Sequence, residues 1–298
     1  MSLPPPAPNQ TFCRVSALEN GQQGKVPLAW IVDGADENVK MDAPIISFLV
    51  QHPKNGYKVI FDLGLRKDWE TSLPPHFVER IRDTMGFEMQ VPLDMIEALA
   101  KGGAKPSDVS HVCISHIHFD HFGDAALFPT STFLVGEGAR PLIEDGYPKN
   151  PESVVPSDVV PLERTTFLNP EGWPALGPFP HALDFFGDGS MYVVDAGHGH
   201  IAGHLNLLVR TSADGGWIYL AGDTVHHWSL LTGEAKIGRS AKFGCAHHDL
   251  GAAEEHIARV KALTKENPRV RVILAHDIPW YEENKNGLAF WPGAITSL

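Results

Sequence analysis

His116-Ile117-His118-Phe119-Asp120-His121 packs four candidate metal ligands into six residues, and imidazole mixed with carboxylate is the donor set that suits zinc. An extended backbone at His116 and His118 sends both imidazoles to one side, and a turn through Asp120 and His121 redirects the next pair. One short segment can therefore serve two neighbouring ions. The residues leading into it, SHVCISH at 110–116, read as a strand with Val112 and Ile114 on one face. The cluster thus falls at a strand end, where the fold holds side chains rigidly and still leaves them accessible. Taken alone, the six residues have a second reading as a solvated, His-rich strand end.

Working outward, the same arrangement of polar clusters on apolar runs recurs. MYVVDA (191–196) precedes GHGHIAGH (197–204), LNLLVR (205–210) follows it, WIYLAGD ends on Asp223, and NPRVRVILAHD (267–277) carries His276. Upstream, PIISFLV (44–50) and VIFDLG (59–64) flank an Asn55-Gly56 turn, the chemistry of a β-hairpin. Phe77, Ile81 and Met85 recur at helical spacing. DMIEALAKGG (94–103) is a second helix closed by Gly102 and Gly103, and Ala253, Ile257, Val260 and Leu263 mark a third. Strands and helices in this mixed order indicate α/β layers. No short-period repeat is present, which sets aside solenoids and propellers.

The HIHFDH pattern resembles the signature of the metallo-β-lactamase superfamily. DLG at 62–64, GHIAGH at 199–204, AGD at 221–223 and AHD at 275–277 are similar to four further family elements, in the family's order. The resemblance implies an αβ/βα four-layer sandwich forming a single domain over 1–298, with two Zn²⁺ per chain. It assigns His116, His118 and His200 to one ion, Asp120, His121 and His276 to the other, and Asp223 as the bridge. Three histidines, His198, His200 and His204, compete for one ligand position, and the family spacing selects His200, with His204 beside the ligands. Asp62 reads as a support of the metal-bearing loop.

Within the superfamily the HDI segment at 276–278 is most similar to the acyl-homoserine lactonase branch. Those lactonases carry a tyrosine three residues beyond the bridging aspartate as a carbonyl-facing donor, whereas this chain departs from the pattern with His226 there, so the resemblance does not fix the substrate. The activity implied is hydrolytic opening of a small cyclic ester or cyclic amide, a lactone or lactam, by water activated between the ions. An aryl-fused ring, opened in detoxification, is one such substrate. Asp120 is the expected proton shuttle, and His226 an expected catalytic group in the pocket, with His227 beside it. The alternative is a metal-dependent thioesterase. Iron redox chemistry and a non-catalytic scaffold fit less well, because Asp120 and His121 are both present and no ligand is missing.

Composition bounds the remaining choices. A formal net charge of -12, from 24 Lys+Arg against 36 Asp+Glu, repels nucleic acid and anionic lipid at long range, which leaves a small molecule as the expected partner. Cys13, Cys113 and Cys245 are isolated, so neither a disulfide framework nor a thiolate site is expected. With no apolar stretch of membrane-spanning length, a cytoplasmic location is expected. Residues 1–12 read as a Pro-rich tail. Residues 136–190, rich in loops and aromatics, read as a covering segment over the site, with a homodimer contact as the other use of that surface. His247 and His248 read as a loop ahead of the last helix, and His52, His76, His111, His181 and His256 as surface or internally satisfied groups.

Overall fold

The computed structural model describes residues 2–298. Its first sheet comprises β1 (Arg14–Pro27), β2 (Lys40–Gln51), β3 (Lys58–Phe61), β4 (Glu88–Gln90), β5 (His111–Cys113), β6 (Thr132–Gly136) and β7 (Thr165–Leu168). They lie in the order β4-β1-β2-β3-β5-β6-β7. The second comprises β8 (Ala182–Asp184), β9 (Met191–Gly197), β10 (His204–Arg210), β11 (Trp217–Leu220) and β12 (Val270–Ile273), in the order β12-β11-β10-β9-β8. The hairpin expected at 44–62 is present, with Phe48 opposite Phe61 and Gln51 opposite Lys58.

Side-chain alternation explains how the two sheets stack. Val59, Phe61, Leu205, Leu207, Ile218, Leu220 and Ile273 share one buried cluster with Val15, Ile46 and Phe48, which seals the sheets face to face. Their neighbours Ile60, Leu208, Tyr219 and Val272 belong to a second cluster together with helical residues such as Phe77, Ile81, Leu99, Val260 and Leu263. A strand apolar on both faces reads as a continuous hydrophobic run, and that is the signature of a strand covered on both sides. The outcome is the α/β sandwich implied by the resemblance, with helices outside two apposed sheets.

Local chemistry sets the helices. Asp94 caps Met95–Ala100 by a reciprocal arrangement in which Asp94 Oδ1 accepts the Glu97 N–H at 2.9 Å and Glu97 Oε2 accepts the Asp94 N–H at 2.8 Å. Asp249 Oδ1 accepts the Ala252 N–H at 3.0 Å and starts Leu250–Glu266, whose buried stripe is Ala253, His256, Ile257, Val260 and Leu263. No helix among the described residues is long and apolar enough to cross a membrane.

The Pro-rich N-terminal stretch lies against the body. The Leu3 N–H donates to Asn267 Oδ1 at 2.8 Å, and the buried Arg210 donates from Nη2 to the Pro4 carbonyl at 2.9 Å while lying 4.0 Å from the Trp217 ring centre. β1 has register shifts between Glu19 and Gln22 and between Gln23 and Val26. Such bulges re-aim side chains, and Gln23 is carried to the site described next.

Candidate metal centre

The candidate residues all stand at strand ends or in the loop between strands, along one edge of the sandwich. His116, His118, Asp120 and His121 follow β5, His200 lies between β9 and β10, Asp223 follows β11, and His276 follows β12. The first sheet therefore supplies four of these groups and the second sheet three.

Buried polar contacts hold this edge in place. Asp62 accepts the Ser115 N–H at 2.6 Å and the Ser115 hydroxyl at 2.7 Å, and its Oδ2 lies 2.9 Å from His121 Nδ1. Ser115 Oγ also lies 3.0 Å from His116 Nδ1, so one aspartate steadies both His121 and His116. Gly64, at φ 71°, closes the DLG turn where a Cβ would come within 1.9 Å of Asn20 Nδ2. His276 Nδ1 donates to the Pro44 carbonyl at 2.8 Å. Asp277 accepts from Trp228 Nε1 at 2.8 Å and from the Trp280 N–H at 3.0 Å, which anchors the following helix, Ile278–Asn284. At Gly222, φ 48°, a Cβ would approach His204 Nε2 to 2.7 Å. The glycine thus lets the Asp223 N–H donate to that nitrogen at 3.3 Å, and His204 supports the backbone of Asp223.

Two donor sets converge. In the first, His116 Nε2, His118 Nδ1 and His200 Nε2 lie 2.9–3.1 Å from one another, and Asp223 Oδ2 is 3.6 Å from His116 and 3.3 Å from His200. In the second, Asp223 Oδ1 is 3.4 Å from both His121 Nε2 and His276 Nε2, and Asp120 Oδ2 is 3.6 and 3.3 Å from those nitrogens. Four donors arranged tetrahedrally around a zinc ion stand about 3.3 Å apart, so both sets match the spacing a small divalent cation requires. His121 Nε2 and Asp223 Oδ1 are buried with no hydrogen-bond partner, an arrangement that costs free energy unless a cation takes up the lone pairs.

The two sets differ in their protons. Burial holds His116 and His200 well below the usual imidazole range and brings His118 down to about 4, so these rings are neutral. Burial opposes charge on His121 and His276 too, but Asp223 and Asp120 outweigh it. His276 is pushed up to about 10 and His121 is also raised well above its ordinary value. Burial likewise opposes the Asp223 carboxylate, and the histidines His121, His276 and His226 hold it well below the usual range.

A cleft of about 990 Å³, its open mouth included, leads to His118, Asp120, His200, Asp223 and His276. Its walls are Val26, Trp30, Ile31 and Met41 from the N-terminal arm, Phe77, Met85 and Phe87 from the 75–87 region, Phe119, and Phe243 and Ala246. The covering role expected of residues 136–190 is corrected here, because Val154 alone of that segment lines the cleft. Its aromatics are used elsewhere in packing: Phe179 stacks on Tyr219 at 5.3 Å and 2°, Phe185 meets His111 edge-on at 5.1 Å, and Phe186 lies 4.5 Å from His52.

His226 lines the cleft, and its Nε2 is 3.1 Å from Asp223 Oδ2. His227 does not line it; its Nδ1 accepts the Ser229 N–H at 3.2 Å and caps Trp228–Thr232. His198 is exposed beside Asp249 at 3.4 Å. His52 is internally satisfied, by Asp188 Oδ2 at 3.0 Å, whereas His256 meets Asn206 Oδ1 at 2.8 Å through Nε2 alone and its Nδ1 is buried without a partner. Two neighbours of the site carry no sequence signal: Gln23, whose amide donates to Asp120 Oδ2, and His247, buried against His200 and His226 at ring separations of 5.2 and 5.4 Å. Burial brings His247 down to about 3.

The metallo-hydrolase mfmC of Annulohypoxylon moriforme is 39% identical over 195 residues, covering 64% of this chain and 50% of that protein. Gamma-lactamase FDB1 of Fusarium pseudograminearum is 36% identical over 195 residues, covering 63% of this chain and 46% of the relative. The chain thus spans about half the length of these curated relatives. Among solved structures, N-acyl homoserine lactone hydrolase with N-hexanoyl-L-homoserine bound at its catalytic metal centre superposes with a TM-score of 0.72 at 14% identity, over 99% of this chain and 100% of that one, and shares the fold. The sequence model of the metallo-beta-lactamase superfamily matches residues 44–276, the span that holds all seven converging side chains, and the chain belongs to that superfamily.

Proposed function

We propose that this protein is a dinuclear zinc hydrolase that opens a small cyclic ester or cyclic amide. The observation that carries the reading is a pair of donor sets that both reach Asp223, one through each of its oxygens, at the floor of an apolar cleft. Two zinc ions bound there would lower the pKa of a shared water and polarise a substrate carbonyl. Relatives named gamma-lactamase and N-acyl homoserine lactonase support ring opening as the reaction class.

The chain's own residues do the rest. Asp223 spans the two sets through its two oxygens, and Asp62 and Pro44 fix the rings of His121 and His276. Asp120 faces the cleft and is held by the Gln23 amide, which leaves one carboxylate oxygen to pass a proton toward the leaving heteroatom. His226, an imidazole outside both donor sets that lines the cleft and meets the Asp223 carboxylate, presents a nitrogen where a substrate carbonyl oxygen would enter. The walls are aromatic and suit a flat ring: Trp30 and Phe87 lie 5.7 Å apart, and Phe77 meets Phe119 edge-on at 5.4 Å. An aryl-fused lactone, lactam or cyclic carbamate suits these surfaces, and opening such a ring is a detoxifying step.

A hydrolysis panel of lactones, lactams, aryl carbamates and thioesters on the zinc-loaded protein tests this reading. Ring opening without thiol release is expected, and His226→Ala should keep its metal while kcat falls about 10²-fold, as for loss of one oxyanion donor. Turnover of thioesters alone, read with a thiol reagent, would replace the reading with a thioesterase. Loss of zinc in His226→Ala would make that residue a ligand instead.

A further inference from the structure

His247 stands one layer behind the cleft. It is 4% exposed, and neither ring nitrogen has a hydrogen-bond partner. His226 Nδ1 is likewise buried without a partner. The two rings lie 5.4 Å apart at 74°, and one nitrogen from each of His200, His226 and His247 falls within 4.8 Å of the others. Orphaned buried imidazole nitrogens are costly, and rings at this separation are near enough for an N–H···N hydrogen bond between them to relieve that cost.

The backbone holds His247 in this place. Its own N–H donates to Cys245 Sγ at 3.3 Å, the next N–H, of His248, donates to the His200 carbonyl at 3.1 Å, and that of Asp249 donates to the Gly199 carbonyl at 2.9 Å. The 245–249 loop is therefore clamped to the loop that carries His200. A ring so placed does not line the cleft, and any effect it has on substrate passes through the two rings it packs against, His226 at 5.4 Å and His200 at 5.2 Å.

The tautomer of His226 decides whether that residue can act. Its Nε2 is the nitrogen beside Asp223 Oδ2, so only the Nε2–H form offers a donor at the metal edge of the cleft. The Nδ1–H form would turn a lone pair toward the carboxylate and have no hydrogen to give. A partner that donates to Nδ1 selects the productive form, in the way outer partners set the tautomer of functional histidines.

We propose that His247 is a positioning residue: its buried ring donates to His226 Nδ1 and so keeps the hydrogen of His226 on Nε2, aimed at the carbonyl oxygen of an incoming cyclic substrate. The catalytic use of that hydrogen rests on the hydrolase reading above, whereas the tautomer itself does not.

The test uses zinc-loaded, ¹⁵N-histidine-labelled protein, with His226 signals assigned by their loss in His226→Ala. In the wild type, Nε2 of His226 is expected to carry the hydrogen and Nδ1 to be bare. His247→Leu should retain zinc and mix the two tautomers, and His247→Gln, which keeps a side-chain N–H, should restore the wild-type pattern. On the best substrate of the panel, His247→Leu should lower kcat by about 10–100-fold, the usual cost of an outer partner, with KM little changed. It should add nothing further in the His226→Ala background.

An Nδ1–H His226 in the wild type, or an unchanged tautomer in His247→Leu, would overturn the proposal. So would loss of zinc in His247→Leu, which would make His247 a ligand, or equal impairment in His247→Gln and His247→Leu, which would reduce it to a space-filling role. A wild type inactive on the whole panel would instead refute the hydrolase reading and leave the tautomer result to decide this one.

Discussion

His116, His118 and His200 meet around one oxygen of Asp223, while Asp120, His121 and His276 meet around the other, and the two halves of the centre hold their protons differently. The first half is three neutral imidazoles, deeply buried, with burial keeping protons off. The second half has two carboxylates against two imidazoles, and in the metal-free protein it keeps protons on His121 and His276. A cation entering the first half displaces no imidazole proton near neutral pH. One entering the second half must displace them, so its affinity is tied to pH. Similar donors at similar spacing therefore give unequal sites, and the cause is where the acidic side chains fall.

Removing the residue common to both halves breaks the comparison most severely. Asp223→Ala is expected to abolish ring-opening activity and to empty both halves, read by elemental analysis; full activity with two bound ions would rule out a bridging aspartate. Lowering pH sharpens the comparison. Because Asp223 and Asp120 push His276 up to about 10 and also raise His121, zinc affinity of the second half should fall about tenfold per pH unit for each proton that binding displaces. The first half, with His118 at about 4, should hold its ion unchanged between pH 8 and 6. A zinc titration at several pH values checks this, and parallel loss from both halves would contradict it. The smallest effect is expected from Asp62→Ala, which removes the group that steadies His121 directly and His116 through Ser115. About a 10–100-fold loss of zinc affinity or activity is expected, larger in the second half, where the contact is direct.

The strands were legible because they are local, and the converging side chains because five motifs resemble family elements in the family's order. VIFDLG, WIYLAGD and NPRVRVILAHD are each an apolar run ending in an acidic or imidazole group, and a run apolar on both faces is what a doubly covered strand produces. Gln23 was not legible: β1 carries two register shifts, which erase period-2 patterning, and its amide meets Asp120 only through pairing across 97 residues. His247 sits in a sequence that reads as a helix-capping loop, and Asp249 does cap that helix. Only the backbone clamp onto the His200 loop brings the imidazole behind His226. The aromatics of 136–190 were misplaced for the converse reason. Composition reveals that large rings are present, but Phe179 against Tyr219 and Phe185 against His111 are settled by packing at distant strands.

The metal content of the purified chain, saturated with zinc at pH 8 and dialysed free of excess, tests the central claim most directly. Two complete donor sets sharing Asp223 predict two zinc ions per chain. One ion or none under those conditions, or tightly held iron in place of zinc, would contradict the account.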